Sequence, residues 1–293
     1  MSYIKFFKYG FSFLLLLIVL RVQSHAADIY HSAELVNIST PVIKPESSNF
    51  QPLLGTYNYT VSWQGIPAAE LEAVVEQDGL NYKITTKAKT YKGIDIFYKL
   101  RYNAEGLISA VDYFPINTRI EHRENSRHRF IEIIFNPDGN VDAVRIDRRR
   151  DEIKSLSFDP NNFMLDPFGA AFLARSVNWE KGAVREFDTF NGFSRYHISL
   201  TAEERRKIRY NGEERDVWVI TPLVRNLVNP AQTSKLRRAH IYVSADDKRD
   251  ILKIVSSVFI GNVYTELKSF QPSPLPQFAP RFARDLEQRQ LVK

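Results

Sequence analysis

From residue 55 onward, apolar and polar positions exchange every second residue in short runs, the period of a strand with one face buried. In GTYNYTVSW (55–63), Tyr57, Tyr59, Val61 and Trp63 fall on one face, with Thr56, Asn58, Thr60 and Ser62 on the other. Leu71, Ala73 and Val75 share a face before Asp78-Gly79. After it Tyr82, Ile84, Thr86 and Ala88 continue, opposite Lys83, Lys87 and Lys89. Asp-Gly between two alternating runs predicts a hairpin. Further strands are predicted at 94–103, 107–114, 116–124, 127–135 and 141–148, with turns at Ala104-Glu105-Gly106 and Pro137-Asp138-Gly139. The pattern resumes at 185–190, 194–201, 205–210, 214–221, 237–244, 249–258 and 262–270, with turns at Asn191-Gly192 and Asn211-Gly212. Many strands with short connections predict a mainly β fold: a large curved antiparallel sheet or open β-barrel with one short packed helix.

That helix interrupts the alternation at MLDPFGAAFLAR (164–175). Asp166 suits the cap position, where its carboxylate accepts from backbone N–H groups that lack a helical partner. Pro167 suits the first helical position, whose N–H would be unused. Capping fits Asp166 better than catalysis, since the donors of a cap hold a carboxyl as its anion. Phe168, Ala171 and Phe172 make one apolar stripe. Burying the two phenylalanines contributes roughly 3–6 kcal/mol. The expected role is a plug on the concave face of the sheet, closing one end.

Three blocks in this order, GTYNYTVSWQGIPAAELE, MLDPFGAAFLAR and IYVSADDKRDILKIVSSVFIGNVYTEL, resemble the domain-of-unknown-function 3108 family of exported bacterial proteins. The first resembles the family's opening strand, tryptophan and turn, the second its Asp-Pro helix, and the third its terminal hairpin with an acidic turn. Ala68-Ala69 stand where many members carry Gly, and Leu252 or its neighbour where they carry Pro. The resemblance covers roughly residues 50 to 270. It implies an exported, strand-rich domain and supplies no reaction or catalytic residues.

The ends of the chain set its context. Lys5 and Lys8, the apolar run FSFLLLLIVL and the small residues around Ser24-His25-Ala26 form the three parts of a secretory signal peptide, expected at 1–26. The run is short for a permanent span, so no transmembrane helix is expected after cleavage; an uncleaved anchor is the alternative. A flexible leader (27–53), a single β-rich domain (54–270) and a Pro-rich tail (271–293) are expected to follow. The 293 residues, 44% of them hydrophobic, suffice for one large core or two small ones. There is no cysteine, which excludes disulfides, thiolate nucleophiles and cysteine metal sites. The net charge of +6 favours anionic partners without naming one.

Chemistry is sparse in the pattern. His122, His128, His197 and His240 form no ligand pair, and arginines flank the first two, so no metal site and no cofactor are expected. Phosphate-loop, dinucleotide and nucleophile-elbow motifs do not occur. Asp246-Asp247 reads as a hairpin turn rather than a catalytic pair. The basic segment RIEHRENSRHRF is more suggestive. On strand 127–135, Arg127 and Arg129 share a face with Ile131, Ile133 and Phe135, a gradient from basic to apolar that suits an amphiphile with an anionic head. A solvated basic face balanced by Glu121, Glu124, Asp147 and Asp151 is the plainer reading.

The expected function is therefore non-enzymatic binding or transfer of a lipid-like envelope molecule in the periplasm. Tyr57, Tyr59, Trp63, Phe168 and Phe172 would line the groove or plug, with Arg127 and Arg129 at its mouth. Nucleic acid is not expected as a partner, because the signal routes the chain away from it. A structural protein that docks an envelope partner is the alternative; a hydrolase of envelope polymer has the least support.

Overall fold

The computed structural model describes residues 50–160, 162–227, 239–258 and 261–274. The expected signal peptide and nearly all of the expected leader and tail lie outside the described residues. Eight strands come first: β1 (Gly55–Trp63), β2 (Ile66–Asp78), β3 (Asn81–Thr90), β4 (Leu100–Ser109), β5 (Pro115–Glu124), β6 (Arg127–Phe135), β7 (Val141–Asp147) and β8 (Glu152–Phe158). A one-turn helix, α1 (Lys92–Asp95), lies between β3 and β4. Then come β9 (Met164–Leu165), helix α2 (Pro167–Ser176), β10 (Val184–Phe190), β11 (Arg195–Tyr210), β12 (Glu213–Asn226), β13 (Ala239–Ser244), β14 (Ile251–Val258) and β15 (Gly261–Pro272).

All fifteen strands form one sheet in the order β8-β7-β6-β5-β4-β3-β2-β1-β15-β14-β13-β12-β11-β10-β9. The chain starts mid-sheet, steps outward to the β8 edge, crosses to the other edge and steps back until β15 pairs with β1. Helix α2 follows that crossing directly, which explains why a chain of strands contains one substantial helix. The sheet is curved and open, with β8 and β9 as its edges. Side chains join the β8 edge to β10 and β11: Phe158 meets Phe190 edge-on at 5.2 Å, and Arg195 Nη2 donates to the Pro160 carbonyl, just after β8, at 2.7 Å.

The hairpin at Asp78-Gly79 forms as predicted, with Gly79 at φ 60°. So does that at Asn211-Gly212, where φ of 47° and 84° gives the doubly left-handed turn that matches strand twist. Four expectations are corrected. Ala104-Glu105-Gly106 is no turn; β4 runs straight through it. A Cβ on Gly106 would sit 2.3 Å from the Phe168 ring, so this glycine clears space for the helix. The predicted strand at 94–103 begins only at Leu100, after α1. The strands predicted at 194–201 and 205–210 are one, β11, continued through a bulge at Ala202/Glu204. Finally, β8 was not predicted, and β9 pairs with β10 in parallel over two residues, the exception in an otherwise antiparallel sheet.

Helix α2 begins as the sequence indicates. Asp166 accepts from the Gly169 N–H at 2.6 Å, and Pro167 occupies the first turn. The helix is not, however, one-faced. Nine of its ten residues are buried, because it lies between two cores. Phe168 and Phe172 join the larger core with Tyr82, Leu100, Ile108 and Ile133. Ala170, Leu173 and Ala174 join the smaller one with Phe187, Tyr196, Ile198 and Ile241. The last residues of the leader are docked as well, with Phe50 buried near Tyr113.

Candidate functional site

Ala171 is the one residue of α2 that is not buried, and it faces a chamber of about 150 Å³. Strand alternation supplies the opposite wall: Tyr57, Tyr59 and Val61 from β1, Leu71 and Ala73 from β2, and Ile84 and Ala88 from β3. Phe168, Phe172 and Arg175 complete the helix side, where i, i+4 and i+7 share a face. The small side chains of Ala69, Ala73, Ala88 and Ala171 keep the space open.

The lining is apolar apart from a few groups. Thr86 and Thr265 reach it from β3 and β15; both are buried, and neither hydroxyl has a hydrogen-bond partner in the structure. Burying a hydroxyl without a partner costs roughly 1–3 kcal/mol, which makes these two the polar features that a guest could satisfy. Arg175 forms part of the wall. Its Nη2 donates to Asp250 Oδ1 at 2.8 Å and to the Lys248 carbonyl at 3.1 Å, and Nε donates to the Arg249 carbonyl at 2.8 Å. Its guanidinium lies 5.6 Å from the Tyr57 ring centre and 5.7 Å from that of Phe172. Arg249 answers from the facing turn, donating to the Ser176 and Val177 carbonyls at 3.0 and 2.9 Å and so closing the C-terminal end of α2.

Electrostatics keep this lining neutral apart from the ion pair. Burial pushes the Tyr57 and Tyr59 hydroxyls above their ordinary value, against the opposing pull of Arg175. Asp250 is raised by burial and lowered by Arg175. At the head of the helix, burial pushes Asp166 up to about 6, although Thr118 and backbone N–H groups donate to it. The expectation that cap donors would dominate there is overturned. A fully buried carboxyl loses more through desolvation than these bonds return.

Of the residues singled out from sequence, the structure brings Tyr57, Tyr59, Phe168 and Phe172 together in the chamber wall. Trp63 is half-buried against the larger core, outside that wall. Arg127 and Arg129 stand on β6, away from the chamber. Arg127 pairs across the hairpin register with Glu124, and Arg129 donates to Asp147 at 3.2 Å while covering Phe193 at 5.4 Å. They are therefore not its mouth. Arg175 is the cation of the chamber; its helical spacing after Phe168 and Phe172 was the available signal.

A second buried group lies on β10 and β11. Asp188 accepts from Arg195 at 3.3 Å and lies 3.0 Å from His197 Nδ1, with Glu186 3.4 Å from Nε2. The Asp188 hydrogen bond, first among the causes, raises the His197 pKa. Both imidazole nitrogens of His197 are engaged by carboxylates, Nδ1 by Asp188 and Nε2 by Glu186. The cluster is a buried ion network that ties two neighbouring strands. Among the described residues, no group of three or more His, Asp or Glu could hold a metal ion, and no helix is long and apolar enough to cross a membrane.

An open many-stranded sheet wrapped round one buried helix, with an apolar chamber between them, defines a β-barrel-like protein. The chain belongs to the DUF3108 family, whose profile, described as a protein of unknown function, matches residues 58–268. No curated protein matches it by sequence. Among solved structures, it is similar to a β-barrel-like protein of domain of unknown function DUF1849 from Brucella abortus. That match has 8% identity and a TM-score of 0.49, covering 76% of this chain and 99% of the other. A protein with a YmcC-like fold from Bacteroides fragilis matches at 6% identity and a TM-score of 0.34, covering 77% of this chain and 100% of the other. At these scores neither carries an argument about what this chain does.

Proposed function

We propose that this is an exported periplasmic protein of the cell envelope, without catalytic activity, which holds the apolar end of a lipid-like molecule in the chamber beside α2. The carrying observation is an apolar lining that contains two buried, unpartnered hydroxyls, Thr86 and Thr265. Sites of this kind combine apolar walls with a few polar anchors. The signal-like N-terminus supports export.

Size limits the reading. At about 150 Å³ the chamber matches a cavity that takes a benzene-sized guest, below the roughly 300–1,000 Å³ of sites that enclose a whole ligand. The tip of an apolar tail enters and the remainder of the molecule stays outside. The test is native mass spectrometry of protein taken from the periplasm. Wild-type protein should carry a lipid-sized adduct, and Ala171→Phe, which fills the chamber from its least buried helix position, should lose it. A wild-type spectrum that contains bare protein alone would overturn the reading.

The small volume and the near-complete burial of α2 also support a structural or docking protein with a solid core. In that case Ala171→Phe changes stability and displaces nothing.

A further inference from the structure

In a meander, every second turn lies at the same end of the sheet. The connections after β3, β5 and β7 therefore share one end, and those after β2, β4 and β6 share the other. The first three are stitched together. The Lys99 N–H donates to Asn125 Oδ1 at 2.9 Å, and the Asn125 N–H returns to the Lys99 carbonyl at 2.8 Å. Arg149 Nη1 donates to Ser126 Oγ at 3.2 Å. Three loops thus form one continuous platform.

Its composition is unusual for a solvated surface. Ile96 and Phe97 are 79% and 58% exposed at the tip of the first loop. Lys92 and Lys99 flank them, and Arg148, Arg149 and Arg150 form the third loop, all exposed. Asp95 is already paired with Arg101 at 2.6 Å, which leaves Asp151 as the exposed acid of these loops. The opposite end provides the contrast. Leu80 and Val111 are as exposed there, at 79% and 80%, but their neighbours are Asp78 and Asp112. Exposed apolar tips occur at both ends, and charge separates them.

We propose that the basic end rests on an anionic membrane surface, with Ile96 and Phe97 entering the headgroup layer and the surrounding cations facing lipid phosphates. Apolar side chains ringed by Lys and Arg provide the two contributions that hold a protein on such a surface, and arginine suits phosphate geometry. The surface is separate from the chamber, and the proposal stands or falls without it.

The test is co-flotation of protein purified from the periplasm with vesicles of phosphatidylglycerol and phosphatidylethanolamine, against vesicles of phosphatidylcholine. Binding is expected to the first and not the second, and to fall with added salt. Ile96→Asp/Phe97→Asp and Arg148→Glu/Arg149→Glu/Arg150→Glu should each lower the bound fraction at least tenfold. Leu80→Asp/Val111→Asp, at the acidic end, should leave it unchanged. These positions are exposed, so an unaltered melting transition will show that each variant folds. Equal binding to both vesicles, binding that survives either basic-end variant, or no binding at all, as an acidic protein partner would give, overturns the proposal.

Discussion

The two sides of helix α2 are packed differently. Leu173 and Ala174 face a core of buried side chains that includes Phe187, Tyr196 and Ile198. Ala171, on the other side, faces the chamber framed by Tyr57, Tyr59 and Ala88. One helix therefore serves both as a structural element and as the wall of a space. A protein that needed only stability would fill the second side, since interiors pack to the density of organic crystals.

The largest expected effect tests that difference directly. Leu173→Ala should destabilise by about 2–5 kcal/mol in urea unfolding, whereas Ala171→Leu should change stability by less than about 1 kcal/mol or raise it. Equal losses would mean that the chamber side is as full as the other. Next comes the cap that serves both sides. Asp166 titrates at about 6 when folded, against 3.8 for the ordinary carboxyl. The folded state then binds more protons between those values, so its contribution is complete below pH 3.8 and is lost as pH rises through 6. That difference amounts to roughly 3 kcal/mol. Asp166→Asn should flatten this part of the stability curve, as followed by denaturant midpoints from pH 4 to 7.

Gly106→Ala should cost about 1–3 kcal/mol by pushing its methyl into Phe168, and Phe168→Leu in the same chain should recover part of that loss in a double-mutant cycle. The smallest change concerns the chamber itself. Thr86→Val removes an unpartnered hydroxyl at nearly constant shape and should stabilise the empty protein by about 1 kcal/mol, while lowering the fraction that retains an adduct in native mass spectrometry.

What was legible in the sequence divides along the range of the interactions. Local patterns read well: Asp78-Gly79, Asn211-Gly212 and the Asp166-Pro167 start each depend on neighbours within a few residues. The failures needed a distant partner. Gly106 reads as a turn until Phe168 is seen against it, and β8 hides because Ile153 points outward and is 69% exposed. Four chamber residues were visible, Tyr57 and Tyr59 because alternation assigns strand faces and Phe168 and Phe172 because helical spacing assigns a stripe. The mouth was misplaced because Asp147, which takes Arg129, lies across a hairpin, and Asp250, which fixes Arg175, lies 75 residues further along the chain.

The pairing of β1 with β15 sets the order of events in folding. Tyr57 stands opposite Phe270, so one edge of the first strand made must wait for the last. The β1–β8 meander can pair strand by strand, but the two arms of the sheet cannot be joined until β15 is made. The sheet is completed late and slowly, as expected where contacts join residues far apart in the chain. Nicking the connection between the outermost strands should leave the finished barrel standing, whereas clipping its last strand would split it down the middle.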